Sequence, residues 1–236
     1  MTYCSSTHNA TGSAPVRKFL VWCSAKNGKH AAELYADHRL FDVAIHDYGP
    51  WGDTKKTMQE YNYWIPSEGT EKFETAGANM PALMNLGYEA FAFIDDDLPF
   101  TTAELNCLFV AGMAWNLQLY QPALTKDSAC SHPHLMEMVD RYPYYRRVPF
   151  VEVMCPFFSR AALEKCLWSF ELNQSGWGLD CYIWPKLVEA HVLDSITIKH
   201  PGPFRPAALR QMRNGLNAWQ ELDIVRKINY DGPSPW

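Results

Sequence analysis

Three consecutive carboxylates, Asp95, Asp96 and Asp97, close the apolar run of AFAFIDDDLPF, Ala90 to Phe100. Residues two apart in an extended segment point the same way, so Asp95 and Asp97 can address one ligand while Asp96 turns aside. Hard divalent cations take oxygen ligands, and this pair offers both charge and lone pairs to Mg²⁺ or Mn²⁺ bridging to a diphosphate. The same residues also suit a solvated turn in which an aspartate caps the next helix. His200, just before the tight turn PGP, reads either as a structural histidine or as a further metal ligand. In SGWGLD the glycines permit close backbone approach, Trp177 supplies an aromatic face, and Asp180 stands where a helix should open, as its cap or as a general base. Glu152 is a carboxylate in a segment, VPFVEVMCPFFS, with no other charge.

The elements that must position these groups follow from the hydrophobic pattern. Phe19 to Trp22 reads as a buried strand passing into a Ser/Asn/Gly loop, His30 to Leu40 as a helix, and FDVAIHDYGPWGDT as a second strand ending at Asp47 with a Gly/Pro loop beyond. That order, strand, helix, strand, predicts a parallel α/β sheet. A helix ending in ALMNLG with Gly87 as its stop precedes the strand YEAFAFI, which delivers the acidic triplet to its carboxyl end. Thr101 and Glu104 form a capping box opening a helix through about Leu117, LYQPAL is a short strand, and Thr125 to Arg147 is a polar loop region.

The alternation in VPFVEVMCPFFS predicts a strand with Phe150, Glu152 and Met154 on one face and Val151, Val153 and Cys155 on the other. Ser159 caps the helix RAALEKCLWSF, and DSITIKHPGP is a last strand ending at His200. From Pro206 to Ile228 an amphipathic stripe, Leu209, Met212, Leu216, Trp219, Leu222 and Val225, predicts a helix packed on the core; a membrane-surface or partner helix is the other reading. Asp47, the triplet and His200 all fall at expected strand ends, and in open α/β sheets the ligand crevice lies outside the carboxyl ends of the strands.

Composition bounds the rest. The 236 residues suit one α/β domain, and 47% hydrophobic with 20% charged residues excludes a disordered chain. A net charge of -5 with no long Lys/Arg run argues against a nucleic-acid partner. The seven cysteines are odd in number and never in C-x-x-C spacing, so neither a disulfide framework nor a structural zinc is expected, and they read mostly as small buried thiols of a reducing compartment. No leader pattern or membrane-spanning run is visible, and the chain is expected to be cytoplasmic, with residues 1–15 a disordered tail, 16–204 a catalytic domain and 205–236 a helical extension. There is no G-x-S-x-G elbow and no Walker loop, so hydrolase and P-loop chemistry are not indicated.

YEAFAFIDDDL, QPAL, FVEVMCPFFSRAAL, SGWGLD and DSITIKHPGP, in this order over about Lys72 to Pro203, resemble the motifs of the domain of unknown function 707 family, itself similar to glycosyltransferases of the GT-A fold. The resemblance implies a single GT-A-like domain with a mixed, mostly parallel central sheet flanked by helices. It further implies a metal-dependent enzyme moving a sugar from a nucleotide-sugar donor to a glycan or glycolipid acceptor, with Mn²⁺ or Mg²⁺ as cofactor and peripheral membrane contact conceivable. Asp97 stands where the direct metal ligand is expected, Asp95 contacts the metal, its water or the ribose, Asp96 lies on the nucleotide side, and His200 completes the metal site. Trp177, Gly178 and Gln121 fall on the acceptor side, with Asp180 the candidate base. Inverting relatives usually end this last motif in adjacent acidic residues, whereas Asp180 lies between Leu179 and Cys181, so Glu152 is the alternative base. Trp22, Ser24, Asp47 and Lys72 are assigned to donor binding by fold position alone. A nucleotidyltransferase or a non-catalytic sugar- or nucleotide-binding module are the rival readings, and a shared scaffold does not decide among them.

Overall fold

The computed structural model describes residues 17–25, 38–49, 62–67, 69–138, 144–201 and 210–228. The expected tail over residues 1–15, the loop beyond Gly49 and Leu209 of the C-terminal stripe lie outside them. So does most of the helix expected over His30 to Leu40; its last three residues form a turn and bend.

Strands β1 (Phe19–Ala25) and β2 (Phe41–Asp47) are buried at every position, as parallel strands covered on both faces must be. β3 (Tyr63–Pro66) is four residues long and ends in proline, too short to announce itself by periodicity. Next come α1 (Lys72–Met84), β4 (Ala90–Asp95), α2 (Thr102–Ala114) and β5 (Leu119–Leu124). They are followed by β6 (Tyr145–Val148), β7 (Phe157–Ser159), α3 (Arg160–Cys166), α4 (Trp184–Leu187), β8 (Ala190–Ile198) and α5 (Ala218–Arg226). Among the described residues eight strands form one sheet in the order β3-β2-β1-β4-β7-β5-β8-β6. β3-β2-β1-β4 and the pair β5-β8 run parallel, while β7 and β6 pair antiparallel with their neighbours. One buried cluster runs from Phe19 to Val225.

Local chemistry explains the boundaries near the site. α2 opens on the expected capping box: Thr101 Oγ1 accepts from the Glu104 amide at 3.2 Å and Glu104 Oε2 accepts from the Thr101 amide at 2.8 Å. It ends at Ala114, before the expected Leu117, because Asn116 turns left-handed at φ 53°. Gly112 lets α2 lie on β5, since a Cβ there would stand 2.1 Å from the Tyr120 ring.

Two expectations are corrected. VPFVEVMCPFFS is a strand only over Phe157–Ser159; residues 151–156 form an irregular segment with a turn at Val153 and Met154. Its backbone partners are largely side chains: Glu152 N donates to Gln121 Oε1 at 2.7 Å and Lys72 Nζ takes the Val153 carbonyl. The segment still hangs on β4 through Asp95 N to Met154 O and Phe93 N to Pro156 O, both 3.0 Å. The two alternating faces are therefore lost, and Val151, Met154 and Cys155 are all buried.

Within the described part of the helix expected over Pro206 to Ile228, only Ala218–Arg226 is helical; residues 210–217 are not, and 206–209 lie outside the described residues. Gly215 at φ 80° and an Asn217–Gln220 capping box start the helix late. Met212 and Val225 are buried, but Trp219 is 53% exposed. The described cysteines are free: Cys23, Cys155 and Cys166 are buried, Cys130 and Cys181 half-buried, and Cys107 is exposed, departing from the expected buried thiol. No helix among the described residues is long and apolar enough to cross a membrane.

Candidate functional site

The parallel register sets the carboxyl ends of β1, β2 and β4 side by side: Ala25 pairs with Asp47, and Ser24 with both His46 and Asp95. At this edge Asp95 Oδ1 meets Lys72 Nζ at 2.7 Å. The lysine, 11% exposed at the start of α1, also donates to the Val153 carbonyl. One cation thus ties the end of β4 to the irregular segment carrying Glu152. Ser24 Oγ lies 3.0 Å from His46 Nδ1, and His46 Nε2 lies 3.4 Å from Thr70 Oγ1. Burial, with Lys72 adding, holds the His46 imidazole down at about 4, so it is neutral at ordinary pH. Asp47, almost fully buried, accepts from the Gly49 amide at 3.0 Å and fixes the turn leaving β2.

Beyond β4, Asp97 Oδ2 faces His200 Nε2 at 3.7 Å. His200 Nδ1 lies 2.7 Å from the Ala129 carbonyl, which can only accept, so Nδ1 carries a proton and Nε2 is the nitrogen turned to Asp97. The His200 amide donates to Ser128 Oγ at 3.0 Å. The facing carboxylate pushes the imidazole up to about 9 and is itself held below the usual carboxylate range. A histidine whose Nδ1–H is committed to a backbone carbonyl while Nε2 faces a carboxylate is in the orientation that metal-ligating histidines adopt. Among the described residues no group of three His, Cys, Asp or Glu is arranged to hold an ion, and Asp95 is committed to Lys72. Asp97 and His200 offer one carboxylate and one imidazole at this edge, ligand types that a divalent cation takes.

Glu152 and Asp180 form the second half of the site. Glu152 is pushed up to about 7 by burial first, with the Asp180 charge adding and the His200 charge opposing, which sets all three in one electrostatic environment. Asp180 is 9% exposed and accepts from the Cys181 amide at 2.8 Å and from the Val153 backbone; burial lifts it to about 6. Glu152 Oε1 faces His132 Nε2 at 3.6 Å. His132 sits in the SHPHL stretch of a region that reads in sequence only as a polar loop, and no spacing signal links it to Glu152.

Not every expected residue reaches this surface. Trp22 is 1% exposed, its ring against Phe93 and His46, a core position that offers a donor no face. Gln121 is fully buried and spends its amide on Glu152 N and the Pro122 carbonyl. Gly178, at φ 89°, lets α5 approach: a Cβ there would stand 3.0 Å from Val225 Cγ1. Trp177 is half-buried and packs edge-on against the exposed Trp219, ring centroids 5.1 Å apart. Glu221, 1% exposed on α5, holds the loop before Trp177 by accepting from the amides of Gln174 at 3.0 Å and Ser175 at 2.7 Å.

No protein-family model and no curated protein matches the chain. Among solved structures it is similar to S. aureus TarS 1–349 in complex with UDP-GlcNAc, with a TM-score of 0.55 and 13% identity over 92% of this chain and 68% of that one. The fold is GT-A-like. A second structure of S. aureus TarS 1–349 matches at a TM-score of 0.49 and 14% identity, covering 77% of this chain and 59% of that one. S. aureus TarS matches at 0.47 and 14%, covering 80% and 37%. The chain thus spans 59% to 68% of TarS 1–349 and 37% of the longer TarS chain.

Proposed function

We propose that the chain is a glycosyltransferase that moves a sugar from a nucleotide-sugar donor to an acceptor hydroxyl. One observation carries the reading: the triplet carboxylates, Glu152, Asp180 and His200 gather around the carboxyl ends of the parallel strands of a GT-A-like sheet. In support, TarS 1–349, which shares the fold, is in complex with UDP-GlcNAc. The ordered motifs that resemble the domain of unknown function 707 family point the same way.

The residues take distinct roles. Asp97 and His200 would hold Mn²⁺ or Mg²⁺, which would supply positive charge against the departing nucleoside diphosphate. Asp95, steered by Lys72, and Asp96 face the nucleotide, with Ser24 and Asp47 at the neighbouring strand ends shaping the donor side. Glu152 accepts the proton of the acceptor hydroxyl. Its position near 7 keeps a large share ionised at neutral pH without making it too weak a base. Asp180, held by backbone amides, raises Glu152 and fixes the segment at Val153, and Trp177 borders the acceptor side. The acceptor is a glycan or a glycolipid precursor of a cell-surface polysaccharide.

The test is nucleoside diphosphate release from a panel of nucleotide sugars with Mn²⁺ or Mg²⁺, with and without oligosaccharide or lipid-linked acceptors. Acceptor-stimulated release that falls ~100-fold or more in Glu152→Gln is the expected result. Donors that bind but are never turned over, with any acceptor, contradict it.

A further inference from the structure

The segment carrying Glu152 is gripped from one side by two histidines. His134 Nε2 lies 3.2 Å from the Phe150 carbonyl, and the Phe150 ring packs edge-on between His132 and His134, at centroid distances of 4.9 and 4.6 Å. Arg146 anchors that grip to the sheet: it donates to the carbonyls of His134 and Met136 and to Asp194 Oδ2, a fully buried carboxylate on β8. The His132 amide is held by Cys130 Sγ at 3.2 Å. At the end of this chain of contacts Nε2 of His132 faces Oε1 of Glu152 at 3.6 Å, and its side chain is 39% exposed against 19% for the glutamate. A closure of roughly an ångström brings the two within hydrogen-bond range.

We propose that His132 is the proton partner of Glu152, a positioning residue that orients the carboxylate and takes its proton to solvent after each transfer. The inference rests on Glu152 being the base of the proposed glycosyl transfer. The acceptor O–H bond breaks and its proton goes to a Glu152 carboxylate oxygen, while the acceptor oxygen bonds to the anomeric carbon. The bond from that carbon to the diphosphate oxygen breaks, its electron pair leaving with the nucleoside diphosphate. The proton on Glu152 then passes to the Nε2 lone pair of neutral His132, and from the exposed ring to water.

The surroundings leave His132 a lone pair for this exchange, with release of the proton to water drawing it forward. Burial, with the nearby His134 adding, lowers His132 below the ordinary histidine value, so its Nε2 is free to accept near neutral pH, where Glu152 titrates. Among the described residues the charged or titratable groups around the pair are His134 and Cys130 beside His132, Asp180, His200 and Cys155 beside Glu152, and Arg146 behind His134.

The test needs no identified substrate for its first arm. Ring ¹⁵N titration by NMR should show His132 responding in two steps in the wild-type protein, one its own and one at the Glu152 midpoint, and in a single step in Glu152→Gln. A single step in both proteins overturns the proposal. In the second arm, with the nucleotide sugar selected by the donor screen, His132→Gln and His132→Asn should lower kcat about 10-fold or more with donor KM unchanged. A solvent isotope effect on kcat should also grow in both variants, because return of the Glu152 proton to water then limits turnover, an effect a merely structural histidine would not produce. Unchanged kcat and isotope effect in both variants, each folded by its melting temperature, overturns the inference while a dead Glu152→Gln keeps the base assignment. An active Glu152→Gln removes that assignment and this inference with it.

Discussion

Lys72 Nζ sits 2.7 Å from Asp95 Oδ1 and also donates to the Val153 carbonyl, so a single lysine at the start of α1 joins the acidic strand end to the segment that carries Glu152. The contact is 11% exposed on the lysine side, where an ammonium is worth its burial only if its hydrogens are used.

Lys72→Met should therefore cost more than a surface ion pair. It leaves the carboxylate and the carbonyl without their donor and should destabilise the fold by about 2 kcal/mol, read as a lower urea midpoint at unchanged slope. Wild-type stability in this variant contradicts the linking role.

The two carboxylates of the pair Glu152 and Asp180 oppose folding as pH rises. A carboxyl whose folded value is raised, about 7 for Glu152, binds its proton more tightly in the native state than in the unfolded chain, where it titrates at about 4.3. Its contribution to stability is complete below about 4.3 and is lost as pH rises toward 7. Glu152→Gln should then match the wild type at pH 4 and exceed it at pH 8 by on the order of 2 kcal/mol, measured by thermal or urea unfolding. Equal stability at pH 8 contradicts the raised value.

Much of this arrangement was open to inspection in the sequence. Continuous apolar runs marked β1, β2 and β4 because parallel strands are buried on both faces, and the Thr101–Glu104 box marked α2 because its two hydrogen bonds need those residues at that spacing. Asp95 ends β4 as expected, whereas β8 stops at Ile198, two residues before His200, and Asp97 stands in the turn after β4. What failed had tertiary causes. Alternation in FVEVM mimics a strand, but Gln121 and Lys72, distant in sequence, take its backbone groups. The Met212 and Leu216 positions continue a helical stripe that Gly215 and Asn217 cut short. His132 meets Glu152 across a loop, and no local pattern encodes such an encounter.

Glu221 on α5 works in the opposite sense to Glu152. Burial alone would raise it, but donors from Ser175, Gln174 and Asn214 outweigh that and hold it below the usual carboxylate range. Its contribution is full above the ordinary glutamate value of about 4.3 and is lost as pH falls through the depressed one. Acid unfolding of the wild type should lean on this group, and Glu221→Gln should be less stable at pH 7 by about 1–3 kcal/mol, with the gap narrowing below pH 4. A gap that stays constant with pH contradicts the assignment.

The most direct measurement is a thermal-shift screen of nucleoside diphosphates and nucleotide sugars, each with and without Mn²⁺ or Mg²⁺, on the wild type and Asp97→Asn. A ligand that binds only the native state raises the melting temperature. The account predicts a shift that needs the metal, is selective for one nucleobase and disappears in Asp97→Asn, whose unliganded melting temperature stays near that of the wild type. No shift with any donor, or one that Asp97→Asn retains in full, contradicts a metal-assisted nucleotide-sugar site at the end of β4.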